Sequence, residues 1–283
     1  MKSRRQWTRW ALALWVLLAV IGPWAAPISF RAQDRGHAIA PPSAEHFMGT
    51  DEFGRDVYSR LLLATGLTSL LAVAMTLPAL CLALLVGMGS AFSPTLAGLG
   101  RGAGEIARSL PWIFVLVAVR AALPLDASAM VIALVLVALF SVAAWPVAAW
   151  AFQGAARGLM EQDFVQASVA LGATRFHVMR RHLWPNMRGL AGTYFALLLA
   201  AAIGAEVSLE LVGLGLPQPW PTWGNMLDPL RDVTIATRCW WLFAPLLVLV
   251  PVLLGLTLAA HGSHDQSGQG GEGGGFAAEK ARA

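Results

Sequence analysis

Glu206 and Glu210 are the only charged residues between Gly189 and Leu216. Four residues apart, they share one face if that stretch is helical. A carboxylate inside a membrane costs about 2.5–3.5 kcal/mol on insertion scales, so such groups face a protein interior or a water-filled path. Two uses follow: hydrogen bonding to neighbouring helices, or an acidic lining that favours a cationic group, with Arg120 a possible ion-pair partner. Covalent chemistry is poorly provided for. The only lysines, Lys2 and Lys280, do not follow the glycine-rich loop that a Walker-type site requires, so any ATP–Mg must be bound by another subunit. An intramembrane protease would need a nucleophile with its base, a His-Glu-x-x-His pair of zinc ligands, or two aspartates, and no such set is found. Cys81 and Cys239 are too few for a disulfide framework and read as small core residues. His261 and His264 fall in a polar tail, where solvated histidines are expected rather than metal ligands. No metal site and no nucleic-acid partner are expected.

These residues must be positioned by membrane helices. Of 283 residues, 57% are hydrophobic and 13% charged, against about 25% charged in a typical soluble domain. A chain with so few charges cannot cover a water-facing surface, so its solvent is lipid. About 20 apolar residues cross a bilayer as a helix. The uncharged stretches give six spans, at about 10–30, 66–92, 107–123, 127–152, 189–216 and 239–260. The chain is therefore expected to be all-α and polytopic. A short N-terminal segment (1–9) precedes a transmembrane domain (10–260), which contains one long loop (153–188). The tail 261–283, rich in Gly, Ser and Gln, is expected to be disordered.

Basic residues orient the spans. With the N-terminus inside, segments 1–9, 93–108 and 153–188 carry 11 Lys and Arg, and the opposite side carries 7 spread among eight acids. Both termini are expected in the cytoplasm. A cleaved signal peptide is the alternative for the N-terminus, but the uncharged run to Phe30 is longer than the usual apolar core of such a peptide.

Three segments carry finer signals. In the loop 161–186, EQDFVQASVALGATRFHVMRRHLWPN, a short helix from Asp163 to Leu171 ends at Gly172. Thr174 can cap a second helix running from Arg175 to Leu183, which Pro185 is expected to end. Two short helices at a glycine elbow make a protruding knob, either a solvated connection or a docking element. In HFMGTDEFGRDVYSRLL (46–62), Asp51–Arg55 and Asp56–Arg60 are i,i+4 pairs, and Phe53, Val57 and Leu61 form one ridge. That pattern predicts an amphipathic helix on the outer membrane surface. In AEVSLELVGLGLPQPWPTWGNML (205–227), Gly213 and Gly215 permit a turn after the acids.

The first of these loops resembles the EAA motif of ABC-importer permeases. Gln166-Ala167-Ser168 stand at the Glu-Ala-Ala letters, followed by Gly172 and then Trp184-Pro185. Gln166, Ser168 and Trp184 depart from the family's Glu, Ala and Leu. The second segment resembles the signature of dipeptide, oligopeptide and nickel permeases through Gly49, Thr50, Asp51, Gly54, Arg55, Asp56, Ser59 and Arg60. The third resembles the family's fifth span and the loop after it. Glu206 matches the family's acid there and Glu210 does not.

The resemblance implies a type I importer permease fold in the bacterial inner membrane. It implies a second homologous permease, two ATP-binding subunits that take up the coupling loop, and an extracytoplasmic binding protein that delivers the substrate. Peptide is the first expectation for that substrate, with a cationic amino end that Glu206 and Glu210 would favour. Nickel or another small solute is the second. The rival from a different class is a membrane enzyme such as an intramembrane protease, for which no catalytic set is found, and a second rival is a membrane scaffold that no longer transports.

Overall fold

The computed structural model describes residues 2–124 and 126–261, apart from the side chains of a few residues, Arg108 and Arg120 among them. The tail from 262, with His264, and any ion pair made by Arg120 lie outside the described residues. Among the described residues no strand forms, and one isolated antiparallel bridge joins Thr50 to Asp56. The fold is all-α. Its helices are α1 (Lys2–Ala25), α2 (Val57–Gly89), α3 (Pro94–Ser109), α4 (Trp112–Ala122), α5 (Ala129–Met160) and α6 (Asp163–Ala170). A continuous α7 (Arg175–Leu211), short α8 (Trp223–Met226) and α9 (Val233–Arg238), and α10 (Trp240–His261) follow.

Among the described residues, α2, α5, α7 and α10 are long and apolar enough to cross a membrane, and Trp10–Ala25 is a shorter apolar helix. Helix bounds depart from the expected spans for local reasons. α2 begins at Val57 rather than 66 because the Asp56 carboxylate caps it, accepting from Ser59 N at 2.8 Å. The segment expected as a span over 107–123 is broken. Ser93 and Pro94 start α3, which ends before Pro111, and α4 has only 11 residues. At about 1.5 Å per residue, such a helix covers roughly half the ~30 Å hydrocarbon core. Gln153, expected at the edge of a loop, is instead buried within α5, where Nε2 donates to the Ala97 carbonyl at 3.4 Å.

Pro185 does not end a helix. α7 runs through it, with a π turn over Met179–Leu183 in which Trp184 N donates to the Met179 carbonyl. A proline removes one i→i−4 bond and crowds the carbonyl four residues back. The widened turn supplies the room, and Asn186 Nδ2 donates to the exposed His182 carbonyl at 2.7 Å.

The chain forms two compact units. One comprises Met1–Met75, Val117–Val137 and Leu199–Leu256; the other comprises Thr76–Leu116, Ala138–Leu198 and Thr257–Ala283. In the first, α1 crosses α2 at small residues. A Cβ on Gly66 would lie 2.6 Å from Pro23 Cγ and 3.0 Å from the Ala19 carbonyl oxygen. The buried Trp15 Nε1 donates to Ser69 Oγ at 3.0 Å across this crossing. In the second unit, buried Ala79 and Ala83 of α2 pack in one cluster with Ala148, Ala149, Phe152 and Ala156 of α5. There a Cβ on Gly87 would overlap Phe152 Cβ and come 3.0 Å from the Ala149 carbonyl oxygen. In lipid, apolar side chains gain little by associating, so helices hold together through close backbone approach at such small residues.

This sets a contrast between glycines. Gly87→Val overpacks the α2–α5 contact and should lower the melting temperature of the detergent-purified protein, at a cost of about 1–3 kcal/mol. At Gly98 of α3 a Cβ meets nothing within 4 Å, so Gly98→Ala should leave the melting temperature unchanged or raise it. Thermal unfolding of matched samples checks both; a wild-type melting temperature for Gly87→Val would remove this crossing from the stabilising core.

Candidate functional site

Residues 46–62, expected as an amphipathic helix, form a tight turn and then the first turns of α2. Gly49 and Gly54 have φ of +67° and +72°, a left-handed backbone that a side chain disfavours and a right-handed helix cannot contain. Space also demands glycine at both positions. A Cβ on Gly54 would overlap the Asp34 carbonyl, and one on Gly49 would come 2.5 Å from the Ala40 carbonyl oxygen and 2.9 Å from the Trp241 ring. Thr50 Oγ1 accepts from Ala40 N at 2.8 Å and donates to the His37 carbonyl.

All eight signature residues are buried. Asp51 organises the turn: Oδ1 accepts from Phe53 N and Arg55 N, each at 2.9 Å, and Oδ2 accepts from Arg55 Nε at 2.7 Å. The Asp51–Arg55 pair thus forms inside a turn rather than along a helix. The expected Asp56–Arg60 pair is replaced by other partners. Asp56 caps α2 and lies 3.0 Å from His46 Nδ1, while Arg60 Nε sits 3.6 Å from Asp51 Oδ2. Ser59 Oγ accepts from Ile28 N at 3.2 Å. The expected ridge is split: Phe53 is exposed beneath the Arg55 guanidinium, while Val57 and Leu61 are buried. Beside the turn, Asp34 N donates to the Gly54 carbonyl. The hydrogen bond between the Asp34 and His37 side chains raises the histidine's pKa and lowers the carboxylate's. Partial burial, and then the neighbouring Asp51, raise that of Glu52.

The two arginines reach the loop that follows α7. Arg55 Nη1 donates to Gln218 Oε1 at 2.7 Å, and Arg60 Nη1 donates to the Pro219 carbonyl at 3.3 Å and the Phe30 carbonyl at 3.4 Å. Trp220 stacks on Phe30, and the Arg31 guanidinium lies over both rings. The loop leaves α7 through a Schellman turn: Gly213, at φ +73°, donates to the Glu210 carbonyl and Leu214 to the Leu209 carbonyl. Glu210 then bridges the loop, as Oε1 accepts from Leu216 N at 2.7 Å and Thr222 Oγ1 at 3.3 Å. A Cβ on Gly215 would overlap the Glu210 carboxylate, and one on Gly224 would come 2.7 Å from Glu210 Cβ and Cγ. Trp223 is fully buried, donating from N to Thr68 Oγ1 and from Nε1 to Thr65 Oγ1. Glu206 is only 2% exposed, and among the described residues neither of its oxygens makes a hydrogen bond of normal geometry.

The loop 161–186 lies in the second unit. Val165, Val178 and Leu183 are buried at its root. α6 ends in a Schellman turn like that at Gly213: Gly172, at φ +86°, donates to the Val169 carbonyl and Ala173 to the Ser168 carbonyl. Thr174 Oγ1 accepts from His177 N and caps the next helix. His182 Nε2 lies 3.2 Å from Ser168 Oγ, and its ring packs by Phe164, tying α6 to the π turn. The tip is apolar and open to solvent, with Leu171 90% and Phe176 69% exposed. Gln166 is exposed, Nε2 donating to the Glu161 carbonyl, and so are Ala167, Trp184 and Pro185, whereas Ser168 is half-buried.

Gln218, Phe30, Trp223 and Trp241 serve this arrangement and were not singled out by spacing. Their partners lie far along the chain, up to 191 residues for the bond from Trp241 Nε1 to the Thr50 carbonyl. The local signs are the polar Gln218 between two prolines and tryptophans of the kind that sit at the outer membrane interface.

Similarity to known proteins agrees with this architecture. Residues 57–266 match the family described as binding-protein-dependent transport system inner membrane component. A di/tripeptide transport system permease protein of Pseudomonas aeruginosa is 31% identical over 262 residues, covering 90% of this chain and 84% of the relative. A dipeptide transport system permease protein of Bacillus subtilis is 26% identical, covering 88% of this chain and 76% of the relative. An oligopeptide transport system permease protein of the same organism is also 26% identical, covering 90% and 81%. Because that family match spans most of the chain, and the Pseudomonas relative agrees over nearly its whole length, this chain belongs to the binding-protein-dependent transport system inner membrane component family.

Proposed function

We propose that this chain is one of two permease subunits of an ABC importer that moves di- or oligopeptides. The observation that carries the coupling step is the elbow at Gly172. Its root is packed and its tip presents Leu171, Phe176, Phe164 and Val169 to solvent. An apolar tip on a rigid base is what a partner's groove recognises. In this reading two ATP-binding subunits hold the ATP–Mg, each permease inserts its elbow into one of them, and closure of the pair moves the membrane helices. Gln166, Ala167, Ser168, Trp184 and Pro185 surround that contact. An extracytoplasmic binding protein delivers the substrate on the side of the signature turn. Both termini lie in the cytoplasm, as the 11-to-7 bias of basic residues supports. Peptide, rather than nickel or another small solute, is favoured by what the relatives named above transport. Glu206 and Glu210 border the path in this proposal. Glu210 is tied to its loop, and Glu206, buried here, would meet a substrate's cationic end only once the surrounding helices part.

Gly172→Arg should leave the protein inserted and paired with its fellow permease, because a Cβ there meets nothing within 4 Å. It should weaken docking of the ATP-binding subunit, since φ of +86° costs a non-glycine residue about 1–2 kcal/mol and the new side chain projects from the tip. Uptake and substrate-stimulated ATP hydrolysis should fall together. Co-purification and uptake in matched membranes test this, and wild-type values for both would reduce the elbow to a connector.

The orientation is tested separately. Reporter fusions after Glu161 and after Asp228 should report opposite sides of the membrane, and the same side for both would overturn it.

A further inference from the structure

We propose that the aromatic pocket at the head of α10 binds a membrane phospholipid whose headgroup carries an ammonium, of the phosphatidylethanolamine type, and that this lipid braces the signature turn from behind. The pocket has a volume of about 460 Å³ and is lined chiefly by Phe47, Met48, Trp240, Trp241, Phe243 and Leu247, within the ~300–1,000 Å³ of small-ligand sites. Three of these side chains are large, apolar and open: Trp240 at 71%, Phe47 at 67% and Leu247 at 74% exposed.

The surface beyond the pocket identifies the occupant. Trp240, Phe243 and Leu247 lie on one face of α10, and the exposed side chains of Val250, Leu254 and Leu258 extend it along a helix of membrane-spanning length. An acyl chain entering the pocket continues down that wall without a break. A second membrane helix is a poorer match, because helix contacts in lipid favour small residues and every residue of this stripe is large, aromatic at its head and Leu or Val below. The sequence next to the pocket fits a zwitterion. Exposed Arg238 stands two residues before Trp240 and suits a phosphate, and exposed Glu45 stands two before Phe47 and suits an ammonium. The open indole face of Trp240 adds cation–π attraction.

The floor of the pocket connects it to the site. Trp241 Nε1 donates to the Thr50 carbonyl at 3.2 Å, and its ring occupies the space that a side chain at residue 49 would need. A lipid packed on Phe47, Met48 and Trp241 therefore restrains Gly49 and Thr50.

The test uses membranes containing the full chain, exposed in parallel to phosphatidylethanolamine and phosphatidylglycerol carrying the same photoactivatable acyl chain, with adducts mapped by mass spectrometry. The ethanolamine probe should label residues 240–247 about fivefold more than the glycerol probe, as a modest cation–π preference gives. Exposed Leu134 of α5 should be labelled equally by both. The double variant Phe47→Ala, Trp240→Ala should lose that excess and keep the Leu134 adducts, which report that it is folded. Equal labelling of 240–247 by the two probes would mean bulk lipid contact only, and an unchanged excess in the variant would place the site elsewhere. Loss of labelling when a partner permease is co-expressed, with cross-links to it, would make the face a protein interface. Each of those three results overturns the proposal.

Discussion

A single carboxylate, Asp51, holds the signature turn together. Its two oxygens take two backbone N–H groups and the Arg55 guanidinium, with Arg60 close behind, in surroundings that exclude water. Arg55 and Arg60 then spend their remaining donors on Gln218, Pro219 and Phe30. Removing one partner of a buried ion pair typically costs about 3–5 kcal/mol, because the other charge is left stranded. That dependence fixes the shape of the turn, the start of α2 and the loop after α7 at once. Two glycines with positive φ complete it, since the chain can close around Asp51 only through a left-handed backbone at 49 and 54.

The loop after α7 shows the same economy of parts. Trp223 fills a site against α2 and satisfies its two donors on Thr65 and Thr68. Thr222 and Asn225 form a reciprocal cap around it. Polar groups in this region are paired with few exceptions. Glu206 stands out for that reason, as a carboxylate withdrawn from water without a conventional partner among the described residues.

Much of this was legible in the sequence, and the omissions share a cause. Apolar run lengths located the four described helices long enough to cross a membrane but not the break at Pro111, and Gly172 followed by Thr174 marked the elbow and its cap, because helix ends are set by chemistry within a few residues. Spacing also paired Asp51 with Arg55 but put them on a helix: i,i+4 neighbours meet in a helix and equally in a tight turn, and letters do not reveal the sign of φ at Gly49 and Gly54. In sequence Pro185 signals a stop, because a proline breaks regular α geometry. The π turn before it is a tertiary accommodation that no local rule announces. The partners of Gln218, Phe30 and Trp241 are not legible locally because their bonds cross long stretches of chain, although the tryptophan itself is of the kind that sits at the outer membrane interface.

The packing around Glu210 has a consequence for how this sequence can drift. Its side chain fills the volume where side chains on Gly215 and Gly224 would go, and its carboxylate holds Leu216 and Thr222. A methyl group added at either glycine collides with Glu210, and a shorter residue at 210 leaves a void and an untied loop. A change at any one of the three positions therefore has to be accommodated at the others, so their effects on stability should not add. A shorter residue at 210 would clear space for a side chain at 215, whereas at 224 the Cβ of any non-glycine residue at 210 and the Val207 backbone would still crowd one.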